Sequence, residues 1–421
     1  MRWHRRVVGP PGAYLASAPL GSLGTAPFLE GLPRAVAGRH AAFRLPVAGL
    51  ALALVAVGGL ARAAPAVGGV DPLEPWRQAA VSGRFIAERV GASPRLRAGW
   101  PGVALDIAFS GGGLAVCLGD VPGLAAAGLP DAPGSVWEVR VDDGPGRVVM
   151  APARGGAVRL ATGLPAGSHR VRLIRRTDGM VPASWVWNLA AEPGGRLLPP
   201  PPRRARRMEV YGASTETGYG AESHNCRGYR PTEQNQNLAW PQRLADQLGA
   251  ELMNTSLSGK GISLNLPGAG GPETTLPRLA ARSDPGDSRH PWDFSAWQAD
   301  VVVIGLGGND WSGYGGPPPE GIFEDALVAF VQSIREHYPK AQVWVALAAG
   351  FEPPARGRHA KMLRAVVRRM HAIGDQGVHF FAFARDRTPA TQRACDAHVS
   401  AAQHGRMAAE LAPIVRAALN W

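Results

Sequence analysis

Four short segments of the chain carry residue types that together can transfer an acyl group. The first follows the apolar run MEVYG (208–212) and reads Gly212-Ala213-Ser214-Thr215. A Ser just past a buried strand can sit at a helix N-terminus, where its backbone N–H also suits an oxyanion. The alternative is a Ser that only caps that helix. The second segment, NTSLSGKG from Asn254 to Gly261, contains Gly259, which lets a backbone amide approach a ligand with no Cβ in the way. Its plainer reading is a turn. The third is Gly307-Gly308-Asn309-Asp310, where the Asn309 carboxamide either donates a second oxyanion hydrogen bond or caps a helix. The fourth is Asp396-Ala397-His398. A general base needs a partner that fixes its tautomer, and a carboxylate two residues away on a bent loop can reach Nδ1. His371, His379 and His404 read as helix or core residues.

These segments need a scaffold that brings strand ends together. MEVYG (208–212), AELMNTSL (250–257), VVVIGLG (301–307), QVWVALAAG (342–350) and VHFFAFA (378–384) are continuous apolar runs. Helical periods lie between them at 322–338 and 359–374, and a last helix is expected over about 400–419. Such alternation predicts a parallel α/β sheet, with reactive groups in the loops at the carboxyl ends of its strands. Residues 72–198 have a different texture. Val103, Leu105, Ile107 and Phe109 alternate, and short runs follow at 136–143, 146–153, 157–163 and 169–177, each bounded by Gly, Pro or Asp. That pattern predicts an all-β sandwich or jelly roll. Pro199 to Pro202 with the arginines up to 207 read as a stiff linker between the two domains.

Length and composition fit this division. The chain has 421 residues, 45% hydrophobic and 19% charged, which excludes wholesale disorder. Gly (54) and Pro (38) make up about a fifth of it without a three-residue period, so it is loop-rich and not collagen-like. Of the net charge of +12, about half falls in residues 1–64, and four more arginines cluster at 203–207. The remainder is close to neutral and lacks helix-turn-helix, RNP and zinc-finger patterns, so nucleic acid is not an expected partner. Arg44, the apolar run from Leu45 to Leu60 and Ala61-Arg62-Ala63 read as a cleavable signal peptide, with an uncleaved anchor as the alternative. Residues 1–64 are therefore expected to be a targeting segment with an over-extended start, and the product secreted or periplasmic in a bacterial manner. Three cysteines lack zinc-ligand spacing and are too few for a disulfide framework. One pair suits an oxidising compartment, and Cys226 with Cys395 is the expected one because both flank the candidate site.

Ser, Gly, Asn and Asp–His in this order, each at a strand end, resemble the SGNH (GDSL-type) hydrolases, and more narrowly carbohydrate esterase family 2. RRMEVYGASTETGYG (206–220) is similar to that family's block around the nucleophile, and SLSGKGISLN (256–265) to its second. PETTLPRL, WDFSAWQADVVVIGLGGND and ACDAHVSAAQH resemble the following blocks, and LPAGSHRVRLIRRT (164–177) its N-terminal jelly roll. The resemblance covers about 75–421. It implies a β jelly roll over 72–198, a linker over 199–207 and a three-layer SGNH hydrolase domain over 208–421. It further implies Ser214 as nucleophile, an oxyanion hole from the N–H groups of Ser214 and Gly259 with Asn309, His398 as general base, and Asp396 as its orienting carboxylate. The implied activity is acetyl removal from carbohydrate, with no metal or cofactor. Ala213 stands where the family has Asp, Ala397 where it has an aromatic, and Val399 where it has Pro.

The absence of GxSxG around Ser214 disfavours an α/β-hydrolase elbow, and HExxH and a Walker loop are absent too. GLGGND lacks the dinucleotide fingerprint. Two readings compete with a hydrolase: an O-acetyltransferase using the same acyl-enzyme, and a carbohydrate-binding protein with a decayed site. Acetate released without acceptor would separate the hydrolase from both.

Overall fold

The computed structural model describes residues 74–122, 134–152 and 154–421, so the expected targeting segment lies outside the described residues. Within them the alternating segments form two antiparallel sheets. One has the spatial order Ala79–Ser82, Ala104–Ser110, Ser168–Arg175, Val136–Val141, Arg147–Met150, with Arg196–Leu197 pairing at Ala104–Ser110. The other runs Ile86–Val90, Ser93–Ala98, Ser184–Ala191, Leu114–Asp120, Gly156–Ala161. Period-2 alternation decides which side chains turn inward: Leu105, Ile107 and Phe109 of one sheet and Leu114, Val116 and Leu118 of the other are buried in one cluster.

The second half is a parallel sheet of β1 (Arg206–Gly212), β2 (Ala250–Ser256), β3 (Val301–Gly305), β4 (Gln342–Leu347) and β5 (Val378–Ala382), in spatial order β2-β1-β3-β4-β5. Its helices are α1 (Trp240–Leu248), α2 (Ile322–His337), α3 (Ala355–Ala372) and α4 (Ala401–Leu419). Val302, Ile304, Val343 and Val345 share a buried cluster with residues of α2 and α3, while Met208, Val210, Val301 and Val303 share another with residues of α1 and α4. Both sheet faces are covered, which is why these strands read as unbroken apolar runs.

The expected linker is shorter than its sequence suggested. β1 begins at Arg206, and Arg206 and Arg207 pair in register with Ala250 and Glu251. The arginines dock: Arg203 binds Glu251, Arg204 Nη1 donates to Asp246 Oδ1 at 3.0 Å, and Arg206 Nη1 donates to the Leu248 carbonyl at 2.7 Å. Their charges are satisfied by the neighbouring strand and helix, so the segment is a seam and not a free spacer. No helix of the described residues is long and apolar enough to cross a membrane.

The described residues fall in one compact unit, and a buried ion pair joins its halves. Arg84, in the turn after the first β-domain strand, is fully buried and donates to Glu209 Oε1 at 2.6 Å. Glu209 lies in the middle of β1 and also accepts Thr255 Oγ1–H and Tyr338 O–H, each at 2.6 Å. Trp292 and Phe294 stack against the guanidinium, 5.3 and 5.1 Å from it. Truncating one partner strands the other charge in the interior. Arg84→Met is expected to cost about 3–5 kcal/mol of stability, and Arg84→Met with Glu209→Gln to cost less than Arg84→Met alone. Urea unfolding of the two variants checks this.

Candidate active site

Gly212 of β1 lies in register with Ser256 of β2 and Gly305 of β3. Ser214, Gly259 and Asn309 follow these three strand ends by two to four residues, so the sheet brings all three to one edge. Ser214 does not open a helix, contrary to expectation. Residues 214–222 form hydrogen-bonded turns, because Gly218 (φ +68°) and Gly220 (φ +59°) adopt left-handed backbone that interrupts helix propagation. Tyr219 N–H and Thr217 Oγ1–H both bond the Ser214 carbonyl at 3.0 Å and keep the turn closed.

Ser214 Oγ lies 2.7 Å from His398 Nε2, and both side chains are half-buried. The other ring nitrogen is 2.9 Å from the Cys395 carbonyl. A carbonyl only accepts, so Nδ1 carries the proton and Nε2 is the bare nitrogen facing the Ser214 hydroxyl. Asp396 does not fill the place expected for it. Asp396 (φ +52°) and Ala397 (φ +62°) both adopt left-handed backbone, and this double twist turns the Asp396 carboxylate outward. There it accepts the Tyr219 O–H at 2.7 Å. Tyr219 in turn stacks on the His398 ring, with centroids 4.5 Å apart and planes 28° apart, and it also stacks with Tyr229. The carboxylate thus reaches the imidazole through a tyrosine.

The disulfide Cys226–Cys395 ties the Tyr219–Tyr229 loop to the residue whose carbonyl holds Nδ1. It is the pair expected from the sequence, and Cys117 is free. With both sulfurs bonded to each other, the cluster Cys226, Cys395 and Asp396 offers a metal no thiolate.

Gly259 (φ +80°) is buried, and a Cβ there would fall 2.6 Å from Ala269 Cβ, so the position requires glycine on two counts. Among the described residues neither the Ser214 N–H nor the Gly259 N–H is spent on a hydrogen bond. Asn309 is the second residue of a short helix, Gly308–Gly313, and its Nδ2 donates to the Lys260 carbonyl at 2.8 Å, which leaves one amide hydrogen for a ligand. Asp310, fully buried, accepts the N–H groups of Ile262, Ser263 and Leu264 at 2.7–3.0 Å. Lys260 Nζ donates to the Ala269 carbonyl and Thr274 Oγ1, and burial lowers its pKa to about 8. Asp178 of the β domain accepts Ser258 N–H at 3.0 Å and Ser258 Oγ–H at 2.6 Å. Lys260, Asp310 and Asp178 thus fix both sides of the Gly259 loop.

Sequence reasoning missed Asp178, Tyr219 and the positioning task of Asp310. Tyr219 and Asp310 stand beside residues already singled out, so their proximity was the available signal. Asp178 lies 80 residues before Ser258 in the other domain and left none. His404 is buried against α1, and His371 and His379 bond the Val378 carbonyl and Gln342, as expected of structural histidines. A cleft of about 380 Å³ between the β domain, Pro201–Arg204 and α1 contains none of the expected site residues.

Comparison with known proteins agrees with this architecture. The GDSL-like Lipase/Acylhydrolase family model matches residues 210–406, and the carbohydrate esterase 2 N-terminal model matches 81–201. The chain is 29% identical over 301 residues to the cellulase/esterase CelE of Acetivibrio thermocellus, a match covering 68% of this chain and 35% of that protein. It therefore spans about a third of that relative's length. It is 23% identical over 331 residues to an acetylxylan esterase / glucomannan deacetylase of Cellvibrio japonicus, covering 77% and 85%. Among solved structures, a family two carbohydrate esterase from Clostridium thermocellum in complex with cellohexaose has 24% identity and a TM-score of 0.72, covering 82% of this chain and 99% of that one. A family two carbohydrate esterase from Cellvibrio japonicus has 21% identity and the same TM-score, covering 82% and 96%.

Burial pushes the His398 pKa below its ordinary 6.5, against the opposing pull of the Cys395 carbonyl and the Asp396 charge. An NMR titration of the imidazole is expected to give a midpoint below 6.5. A midpoint above it would mean that Asp396 pairs with the ring directly.

Proposed function

We propose that this chain, a member of the family 2 carbohydrate esterases, removes acetyl groups from carbohydrate through an acyl-enzyme on Ser214. Its carbohydrate esterase 2 N-terminal domain, which we read as a jelly roll, precedes a GDSL-like acylhydrolase domain. The contact between Ser214 Oγ and the bare Nε2 of His398 carries the proposal.

As Oγ attacks the ester carbonyl carbon, its proton passes to Nε2. The carbonyl π electrons move onto oxygen, and the oxyanion takes hydrogen bonds from the Ser214 N–H, the Gly259 N–H and the free Asn309 amide hydrogen. Collapse expels the sugar oxygen, which receives the proton from Nε2 and leaves acetyl on Ser214. Water then gives a proton to Nε2, attacks the acetyl carbon and releases acetate, and Ser214 recovers its proton. Each imidazolium formed is held through Nδ1–H by the Cys395 carbonyl. Asp396 acts at one remove, through Tyr219. The substrate follows from the relatives: the Cellvibrio japonicus relative is named an acetylxylan esterase / glucomannan deacetylase, and acetylated plant polysaccharide is the class we assign. The Cys226–Cys395 disulfide favours an oxidising compartment and so export.

Ser214→Ala and His398→Ala are each expected to remove nearly all turnover of aryl acetate with the fold retained, since the two act as a unit. Asp396→Asn should lose less than about tenfold in kcat, far below the ~10⁴-fold drop for a buried triad Asp. Steady-state kinetics on the purified variants measure both. A Ser214→Ala enzyme within a few-fold of the parent would refute the nucleophile.

Acyl selectivity follows from what Trp292 and Phe294 do. Both lie in the Pro- and Gly-rich segment between the second and third site loops, and both face Arg84 at the domain seam. They are therefore unavailable to line an acyl groove. A pocket fitted to a longer chain would gain up to ~0.8 kcal/mol per methylene. On a p-nitrophenyl ester series, kcat/KM is expected to be greatest for acetate and to fall steeply from butyrate to octanoate. A maximum at octanoate would identify a lipase instead.

A further inference from the structure

Beneath Ser214 lies a carboxylate that the steps above do not use. Glu216 is 2% exposed. Its Oε2 accepts the Ala213 N–H at 2.9 Å, and its Oε1 accepts the Trp240 Nε1–H at 3.1 Å. Two glycines make room for it. A Cβ on Gly212, at the end of β1, would fall 2.2 Å from Glu216 Cγ, and one on Gly305, at the end of β3, 2.6 Å from Oε1. The carboxylate therefore fills the gap between two adjacent strand ends, under the turn that carries the nucleophile.

Its surroundings are poor in charge. β1 and β3 present glycine to it and α1 presents an indole. From β2, Asn254 Nδ2 donates to the Glu216 backbone carbonyl at 2.9 Å. On α4, His404 accepts the Trp240 N–H through Nδ1, and burial lowers its pKa to about 3, so it is neutral. A buried carboxylate with no cation is costly, and an apolar side chain of similar volume would serve stability at least as well. What an apolar side chain cannot do is accept the Ala213 N–H. Ala213 brings no polar side chain of its own to this turn, so the acceptor comes from three residues further on.

We propose that Glu216 is a positioning residue for the reaction, its ionised carboxylate fixing the Gly212–Ala213 peptide and through it the direction of the Ser214 Oγ and N–H. This rests on Ser214 being the nucleophile. Protonation removes one of the two acceptors from its donor and loosens the turn. Burial raises the Glu216 pKa to about 7, above the lowered pKa of His398, so activity declines in two separate steps as pH falls.

The test is the pH dependence of kcat and KM on p-nitrophenyl acetate, between about pH 5 and 9, for the parent, Glu216→Gln, Glu216→Ala and Ala213→Asp/Glu216→Ala. The parent is expected to show a step near pH 7. Glu216→Gln, which mimics the protonated acid, should lose about 10- to 100-fold in kcat with KM within about threefold, because a misdirected nucleophile costs rate and not binding. Its step near 7 should vanish, leaving the lower one. Ala213→Asp/Glu216→Ala, which returns a carboxylate from the neighbouring residue, should recover part of the kcat lost in Glu216→Ala. Parental kcat and profile in Glu216→Gln would overturn the inference, as would a parent profile without the step near 7 should that variant not fold. An inactive Ser214→Ala beside either result would leave the nucleophile standing, whereas an active Ser214→Ala would remove the premise itself.

Discussion

The Nδ1–H of His398 finds its acceptor in the Cys395 carbonyl, and the local architecture exists to keep that carbonyl in place. A backbone acceptor cannot rotate away as a side chain can, but it is only as well placed as its chain. Three features hold it. The disulfide pins Cys395 to the Tyr219 side, the His398 N–H returns to the same carbonyl at 3.0 Å, and Val399 is buried with Met407 and Leu411 of α4. Two successive left-handed residues, Asp396 and Ala397, are what this arrangement requires of the backbone. They also explain why the nearby carboxylate is spent on Tyr219.

The β domain belongs to the site as much as to the scaffold. Asp178 holds the Gly259 loop through Ser258, and Ser258 Oγ lies 3.3 Å from Thr217 Oγ1, which bonds the Ser214 carbonyl. Two residues before Asp178, the buried Arg176 binds Glu222 and the Gln234 carbonyl, fixing the loop that carries Tyr229. Both arms of the site are therefore anchored by one turn of the other domain, just after the strand Ser168–Arg175. A freely hinged pair of domains could not do this, which gives the short, docked Pro/Arg seam and the Arg84–Glu209 pair their purpose.

The parallel sheet is legible in the sequence because its strands are buried on both faces, and the loops at their carboxyl ends follow directly from those apolar runs. That rule singles out the loops of Ser214, Gly259 and Asn309, whereas His398, well beyond the end of β5 at Ala382, stands out by its Asp-x-His spacing before the last helix, and the roles come from the family resemblance. Asp396 misled because spacing in the chain says nothing about φ, and two positive values at 396 and 397 reversed the direction of its side chain. The helix expected after Ser214 failed for the same kind of reason, at Gly218 and Gly220. Asp178 was beyond reach in principle. Its partner lies across a domain boundary, and no local pattern encodes a contact of that range.

The departures at Ala213 and Val399 then take on physical content. Ala213 is 9% exposed and its Cβ meets a packed interior, while its N–H is satisfied from Glu216 below. Val399, 4% exposed, contributes a branched side chain to the cluster that seats α4. Neither position brings a titratable side chain, and the Ala213 N–H keeps an acceptor in Glu216, three residues further on. The proposed proton-transfer geometry, Ser214 to Nε2 and Nδ1 to a carbonyl, therefore uses neither side chain. Under the proposed positioning role it does depend on the protonation of Glu216, a buried carboxylate beneath the proposed nucleophile with no ion-pair partner among the described residues.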